Sequence, residues 1–152
     1  MTPFIRRIAA AGIAAMVASI GFAGFADADE NAIKYRQNHM KALGAHLGAI
    51  SAVMKGEAGD PGHVAGHAAA VAGIGAIAGD LFPAGSGEGK TDALPAIWEK
   101  PGEFEKAWMA LKDASAKFAE VAAGGDMKAT GAAMGAVGKA CGGCHKNFRK
   151  KQ

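Results

Sequence analysis

Four segments of this chain repeat apolar residues at steps of three and four, the period of an α-helix that buries one face. They span about 30–55, 61–78, 101–123 and 126–150. Alanine and glycine are abundant, and no run of β-branched residues predicts a strand. Two of the three connections are short. The connection between the second and third segments, 79–100, is longer and contains the glycines and prolines that interrupt helices. The sequence therefore predicts an all-α fold, an antiparallel four-helix bundle in one domain.

The fourth segment contains the string Cys141-Gly142-Gly143-Cys144-His145. On a helix, residues three apart share a face and the next residue is turned by about 100°. Two thiols can thus meet one edge of a planar macrocycle while the imidazole reaches its metal. C-x-x-C-H is the spacing of covalent haem c attachment, so we predict one haem c held through Cys141 and Cys144, with its iron. Both cysteines lie on the apolar seam, which predicts a haem against the bundle interior.

Other interpretations of the two cysteines fit less well. A structural zinc site normally needs four Cys or His ligands, yet His39 and His46 stand alone and the pair His63 and His67 lies far upstream. That pair is expected to be a surface pair. A thioredoxin-like pair would follow a strand, and none is predicted. A disulfide or a buried pair of thiols remains as an alternative, and so does a helical binding protein without haem.

The N-terminus indicates export. Arg6 and Arg7 precede an uncharged apolar run that ends near residue 24, and small residues follow around Ala26 and Ala28. This pattern is typical of a secretory signal peptide, predicted as 1–28, with the bundle domain at 29–152. The alternative is an uncleaved membrane anchor, because the run approaches the roughly 20 residues that span a bilayer. Haem is attached to C-x-x-C-H outside the bacterial cytoplasm, so we predict a periplasmic protein without stable membrane insertion after cleavage.

The charge balance excludes a strongly basic surface. The chain carries a net charge of +3, and removal of 1–28 takes away two arginines and one aspartate, which leaves +2. Nothing here favours nucleic-acid binding. The cations near the end of the fourth segment offset a helix dipole or form a local patch for an acidic redox partner.

The whole mature pattern resembles the class II cytochromes c, a family that includes the high-spin cytochromes c-prime and low-spin relatives such as the cytochromes c-556. The resemblance rests on Tyr35-Arg36-Gln37 and Met40, on Pro95-Ala96-Ile97-Trp98, and on C-x-x-C-H followed by Phe148-Arg149-Lys150 near the C-terminus. It implies that Cys141 and Cys144 form thioethers and that His145 is the axial iron ligand.

The same resemblance implies roles for other residues. Arg36 and Arg149 match positions near the haem propionates, where a guanidinium can pair with a carboxylate. Gln37 matches a position at the haem edge. Arg36 also occupies a gap in the apolar seam, which argues against a solvated side chain. Relatives often form dimers through their first two helices, so a homodimer is a further expectation.

Met40 decides between two functions, since by resemblance it faces the distal side of the haem. If its thioether ligates iron, the haem is low-spin and six-coordinate, as suits a periplasmic electron carrier with redox partner proteins. If Met40 only packs, the iron is five-coordinate and open to NO or CO. The sequence favours ligation. We expect no enzyme activity, because the chain shows no convincing distal acid–base group beside Met40, and His39 lies one position off the apolar seam.

Overall fold

The structure is a computed structural model that describes residues 23–151, and those residues contain five α-helices. Four are long: α1 (Ala23–Met54), α2 (Val64–Ala76), α4 (Pro101–Ala123) and α5 (Met127–Phe148), while α3 (Ala96–Glu99) is a single turn. The predicted four-helix bundle is confirmed. Residues 1–22 of the predicted signal peptide lie outside the described residues, so that prediction is untested.

The seam of α1 is buried as its spacing predicts. Ile33, Leu43 and Ile50 are all at most 5% exposed, and they recur at multiples of about three and a half residues. The start of the helix was predicted too late, because α1 begins at Ala23 rather than near residue 30. No apolar pattern marks that extension.

The second predicted segment is divided between two kinds of helix. A 3₁₀ turn, Pro61–His63, comes first, and the Asp60 carboxylate accepts a hydrogen bond of 2.7 Å from the Gly62 amide. Proline has no amide N–H, and it fits this position because the amides in the first turn of a helix have no partner within the helix. A second 3₁₀ turn, Ala78–Leu81, follows α2.

α2 packs closely against α4 at Gly75. A Cβ at this position would collide with the hydroxyl oxygen of Ser115 and lie 3.1 Å from its Cβ. Ser115, the small polar residue on the seam of α4, is fully buried, and its hydroxyl donates to the Lys112 carbonyl at 3.0 Å. The pair of small residues lets the two helix backbones approach each other.

α5 starts at a well-formed cap. The Asp126 carboxylate accepts hydrogen bonds from the amides of Lys128 and Ala129, at 2.9 and 3.0 Å. Such a cap satisfies amides that have no partner within the helix. It sets the register of the helix that carries the C-x-x-C-H string.

The long connection 77–100 is tied to the C-terminal end of α5. The Leu94 amide donates to the Phe148 carbonyl at 3.0 Å, and the Lys150 amide donates to the Asp92 carbonyl at 2.8 Å. Ala93 and Arg149 form an antiparallel bridge there. The connection therefore lies over one end of the bundle.

Two apolar clusters fill the interior. The larger joins α1, α2, α4 and α5 around Ile50 and Phe118, and the smaller lies beneath the connection around Ile97 and Phe148. Cys141 packs against the first cluster and Cys144 against the second. Across the described part of the chain, no helix combines the length and the apolar character that crossing a bilayer requires.

Candidate functional site

A cavity of about 700 Å³ lies where α1, α4, α5 and the connection meet. Its size is within the roughly 300–1,000 Å³ of typical ligand pockets. Each residue that the sequence nominated for cofactor binding lies on its wall: Arg36, Gln37, Met40, Cys141, Cys144, His145 and Arg149. The structure thus brings together groups that are more than a hundred residues apart in the chain.

Cys141 and Cys144 are half-buried free thiols on one face of α5. Burial raises the pKa of the Cys144 thiol to about 11, with a smaller contribution from Cys141, and burial also raises the pKa of Cys141. Both sulfurs are therefore protonated at neutral pH in this environment. Within residues 30–151, no three His, Cys, Asp or Glu side chains converge as a metal cluster.

His145 follows the second cysteine and lines the same cavity. Partial burial of the ring lowers its pKa, and the positive charge of Arg149 lowers it further. Both effects favour the neutral imidazole, which is the form that can ligate a metal. The ring is still accessible to solvent.

Arg36 is the most unusual group in the wall, because it is a cation that is only 4% exposed. Its guanidinium donates to the carbonyls of Leu81 and Ser86 at 3.2 and 2.9 Å, and to the hydroxyls of Ser86 and Thr91 at 2.8 and 3.0 Å. It also lies 4.8 Å from the centre of the Phe82 ring. Desolvation by burial lowers its pKa.

All of these Arg36 partners are neutral, and none of the ion pairs in the described part of the chain includes it. Buried charges are normally paired. A cavity-lining guanidinium without a carboxylate is therefore suited to an anionic group on a ligand. The sequence anticipated burial of Arg36, but gave no sign of its partners in the connection.

Gln37 and Arg149 stand at the margin of the cavity. The Gln37 amide donates to the Lys90 carbonyl at 2.9 Å, and Arg149 is half-buried beside His145. Met40 comes from α1 and is half-buried between the cavity and the main apolar cluster. These placements agree with the positions expected for the three residues and do not assign their roles.

Aromatic and aliphatic residues complete the wall, and the sequence analysis did not nominate them for the site. Phe104 and Trp108 come from α4, Phe82 from the connection and Phe148 from the end of α5. The Phe104 ring meets Phe82 and Phe148 edge to face, at centroid distances of 4.8 and 5.3 Å. The apolar seam of α4 signalled the burial of Phe104 and Trp108, but no local pattern pointed Phe82 at the cavity.

The histidines outside the cavity correct one prediction. His67 does not form a surface pair with His63; its Nδ1 lies 2.8 Å from Nδ1 of His46 on α1. His39 turns back on its own helix, where its ring lies 4.2 Å from that of Tyr35. Residues four apart on one helix were expected to meet, but the packing of α1 against α2 offers His67 a nearer partner.

The wall fits the haem that the C-x-x-C-H string predicts. Two thiols and an imidazole lie together on α5, aromatic and aliphatic residues supply an apolar lining, and the buried guanidinium of Arg36 provides a positive charge that attracts the propionates. In such an arrangement Cys141 and Cys144 would hold the macrocycle and His145 its iron.

Comparison with known proteins supports this assignment. Residues 31–149 match the family described as Cytochrome C'. The chain is 37% identical over 119 residues to cytochrome c' of Pararhodospirillum photometricum, covering 78% of this chain and 95% of the relative. It is 38% identical over 129 residues to cytochrome c-554 of Cereibacter sphaeroides, covering 80% and 82%.

A solved structure is similar over the same region. The nitric oxide complex of a variant of cytochrome c prime from Alcaligenes xylosoxidans superposes with a TM-score of 0.74 at 32% identity, covering 81% of this chain and 97% of that one. The family matches most of the chain, and the bundle, the cavity and the C-x-x-C-H string agree with it. The chain therefore belongs to the cytochrome c' family of class II cytochromes c, and its cofactor is haem c with iron.

Proposed function

We propose that this protein is a periplasmic haem c protein with a five-coordinate iron that binds NO or CO. The observation that carries the proposal is the nitric oxide complex of a related cytochrome c prime, which is 32% identical and almost wholly covered by this chain. This is the alternative that the sequence left open, and the comparisons fit it better than the favoured six-coordinate electron carrier.

In this proposal the residues of α5 hold the cofactor. Cys141 and Cys144 form the thioethers and the neutral imidazole of His145 is the single axial ligand. Bound haem supplies an iron that takes up a diatomic gas and exchanges one electron. Arg36 and Arg149 provide positive charge for the propionates, with Gln37 at the haem edge.

Residues of α1 form an apolar part of the wall. Met40, Leu43 and Leu47 line the cavity, and their side chains carry no N–H or O–H donor. A wall of this kind excludes water and offers no hydrogen bond to an anion, whereas it accepts a neutral diatomic molecule. In this proposal the Met40 side chain packs in the cavity wall and does not ligate the iron.

The decisive experiment adds CO to the reduced holoprotein and records absorption spectra. We expect prompt stoichiometric binding and a high-spin spectrum before CO is added. Met40→Leu, which keeps the volume and removes the thioether, should leave the spectra and the CO stoichiometry unchanged. Resistance to CO in the parent protein, relieved in Met40→Ala, would contradict the proposal.

The second candidate is an electron carrier with His145 and Met40 as the two iron ligands. It is favoured by one observation, namely that Met40 and His145, from different helices, line the same cavity. It requires a low-spin spectrum in both oxidation states and a weak sulfur-to-iron band in the ferric protein. That band should vanish in Met40→Leu, so the same pair of proteins separates the two candidates.

Partners and location are also proposals. We infer export through the signal peptide 1–28, redox partner proteins in the periplasm and a homodimer. A basic groove lined by His145, Lys146, Arg149, Lys150 and Lys151 supports an acidic partner. On α1, a Cβ at Gly48 would have no neighbour within 4 Å, which leaves room for a second copy. The mass of the exported chain and its sedimentation behaviour test these inferences.

A further inference from the structure

We propose that His46 and His67, joined by His63, form a binding site for a divalent transition metal, Cu²⁺ or Ni²⁺, separate from the haem cavity. His46 lies on α1 and His67 on α2, and both are half-buried. Their Nδ1 atoms are 2.8 Å apart and their ring centroids 5.1 Å. Neither residue lines the haem cavity.

The spacing of the two nitrogens suits adjacent ligands of one metal. Two metal–nitrogen bonds of about 2.0 Å at a right angle place the nitrogens about 2.8 Å apart, whereas tetrahedral zinc needs about 3.3 Å. Both values are close to the observed distance, so modest rotations of the two rings can bring the nitrogens to one ion while the helices stay in place. Imidazole is a suitable ligand for Cu²⁺ and Ni²⁺, and Cu²⁺ has the highest affinity among the divalent first-row metals.

The pair now shares one proton. Because the ring centroids and the nitrogens are almost in line, one Nδ1 donates to the other. A metal replaces that proton, and both rings turn so that their lone pairs converge on it. The turn is about the second side-chain torsion of histidine, which is broad and soft.

His63 supplies the third ligand. It precedes His67 by four residues, and the backbone between them is helical, with φ −78° and ψ −20° at His63. Residues at this spacing on a helix have Cβ atoms about 5–6 Å apart. His63 is exposed and free to turn. No three ligating side chains already converge in the described residues, so this ligand joins when the metal binds.

The test titrates Ni²⁺, and separately Cu²⁺, into the ferric holoprotein by calorimetry near neutral pH. The parent should bind one equivalent. His46→Ala and His67→Ala should each weaken metal binding by about tenfold or more. Even residues that only hydrogen-bond to metal ligands contribute that much to metal affinity. His63→Ala should weaken it several-fold. His39→Ala, also on α1 but outside the pair, is the matched control and should bind as the parent does.

A second readout is the melting temperature. A metal that joins α1 to α2 binds the folded state and raises its stability. We expect added Ni²⁺ to raise the melting temperature of the parent and of His39→Ala, but not of His46→Ala. The haem spectrum verifies that each variant folds. Unchanged affinity in His46→Ala or His67→Ala would overturn the site, and unchanged affinity in His63→Ala would overturn its three-histidine composition.

Discussion

Arg36 shows how one side chain organises the wall of the haem cavity. Its guanidinium bonds only to the connection 77–100, so it fastens α1 to the segment that covers the end of the bundle. The sequence could place Arg36 in the apolar seam because the gap in the period was visible. It could not reveal Ser86 and Thr91, which are 50 and 55 residues away and follow no local pattern.

Replacing this guanidinium should be costly. Arg36→Met keeps much of the side-chain length but leaves buried carbonyls and hydroxyls without their donor, which we expect to cost about 2–4 kcal/mol. The free energy of unfolding of the holoprotein in urea measures it. Gln37→Met is the matched control, because it removes one exposed hydrogen bond and should cost about 0.5 kcal/mol or less. Equal stabilities of the two variants would contradict the role given to Arg36.

At the scale of the elements, the close contact between α2 and α4 depends on Gly75, which has no side chain. Gly75→Ala should destabilise the fold by about 1–3 kcal/mol, because the added methyl group meets Ser115. Gly73→Ala is the control on the same helix. A Cβ there has no neighbour within 4 Å, so alanine should stabilise by up to about 1 kcal/mol. Thermal or urea unfolding measures both.

A double-mutant cycle makes this test specific. In a Ser115→Ala background the colliding oxygen is gone, so Gly75→Ala should cost less there, with a coupling of about 0.5 kcal/mol or more. Additive effects of the two substitutions would show that Gly75 acts through helix propensity and not through this contact.

The helix that carries the haem motif depends on its first turn. Asp126→Ala removes the acceptor of two amide hydrogen bonds, which should cost about 0.5–2 kcal/mol. Asp113→Ala, at an exposed position within α4, should stay within about 0.5 kcal/mol of the parent. The two urea midpoints are to be compared in holoprotein. A smaller loss for Asp126→Ala than for Asp113→Ala would contradict the capping role.

The helices were largely predictable from the sequence, and the connection was not. Periodicity gave the four long helices and their buried faces, including Ile50 and Phe118, since burial of one face imposes a repeat on the sequence. The turns that hold Phe82 and Ala93 against the cavity depend on contacts with α1 and α5. Contacts between distant segments impose no periodic pattern on the sequence. This part of the site therefore could not be predicted from it.

For the whole molecule, the haem is part of the core. The cavity of about 700 Å³ is lined largely by apolar side chains, among them Leu43, Phe104 and Trp108, which meet water when no haem covers them. We therefore expect the packing of the bundle to depend on its cofactor. A chain that cannot attach haem should lose fixed packing around this space.

The double variant Cys141→Ser, Cys144→Ser tests this dependence. We expect no haem band after denaturing electrophoresis, a weak near-ultraviolet dichroism signal and a broad thermal transition, with much of the helical signal kept. Ala136→Ser, which adds a hydroxyl at an exposed position of α5, should retain haem and unfold cooperatively. A sharp, parent-like transition of the double variant without haem would contradict the dependence.

The backbone hydrogen bonds between the connection and the end of α5 join segments that emerge at different times during synthesis or export. A chain that emerges from the ribosome or a translocation pore N-terminus first presents Thr91 to Leu94 long before Phe148, Arg149 and Lys150, to which that stretch is fastened. The mouth of the pocket therefore stays open until the end of α5 and the residues that follow it have emerged. Cys141 and Cys144 emerge only a few residues before Phe148, so the thiols and the contacts that close the pocket become available almost together.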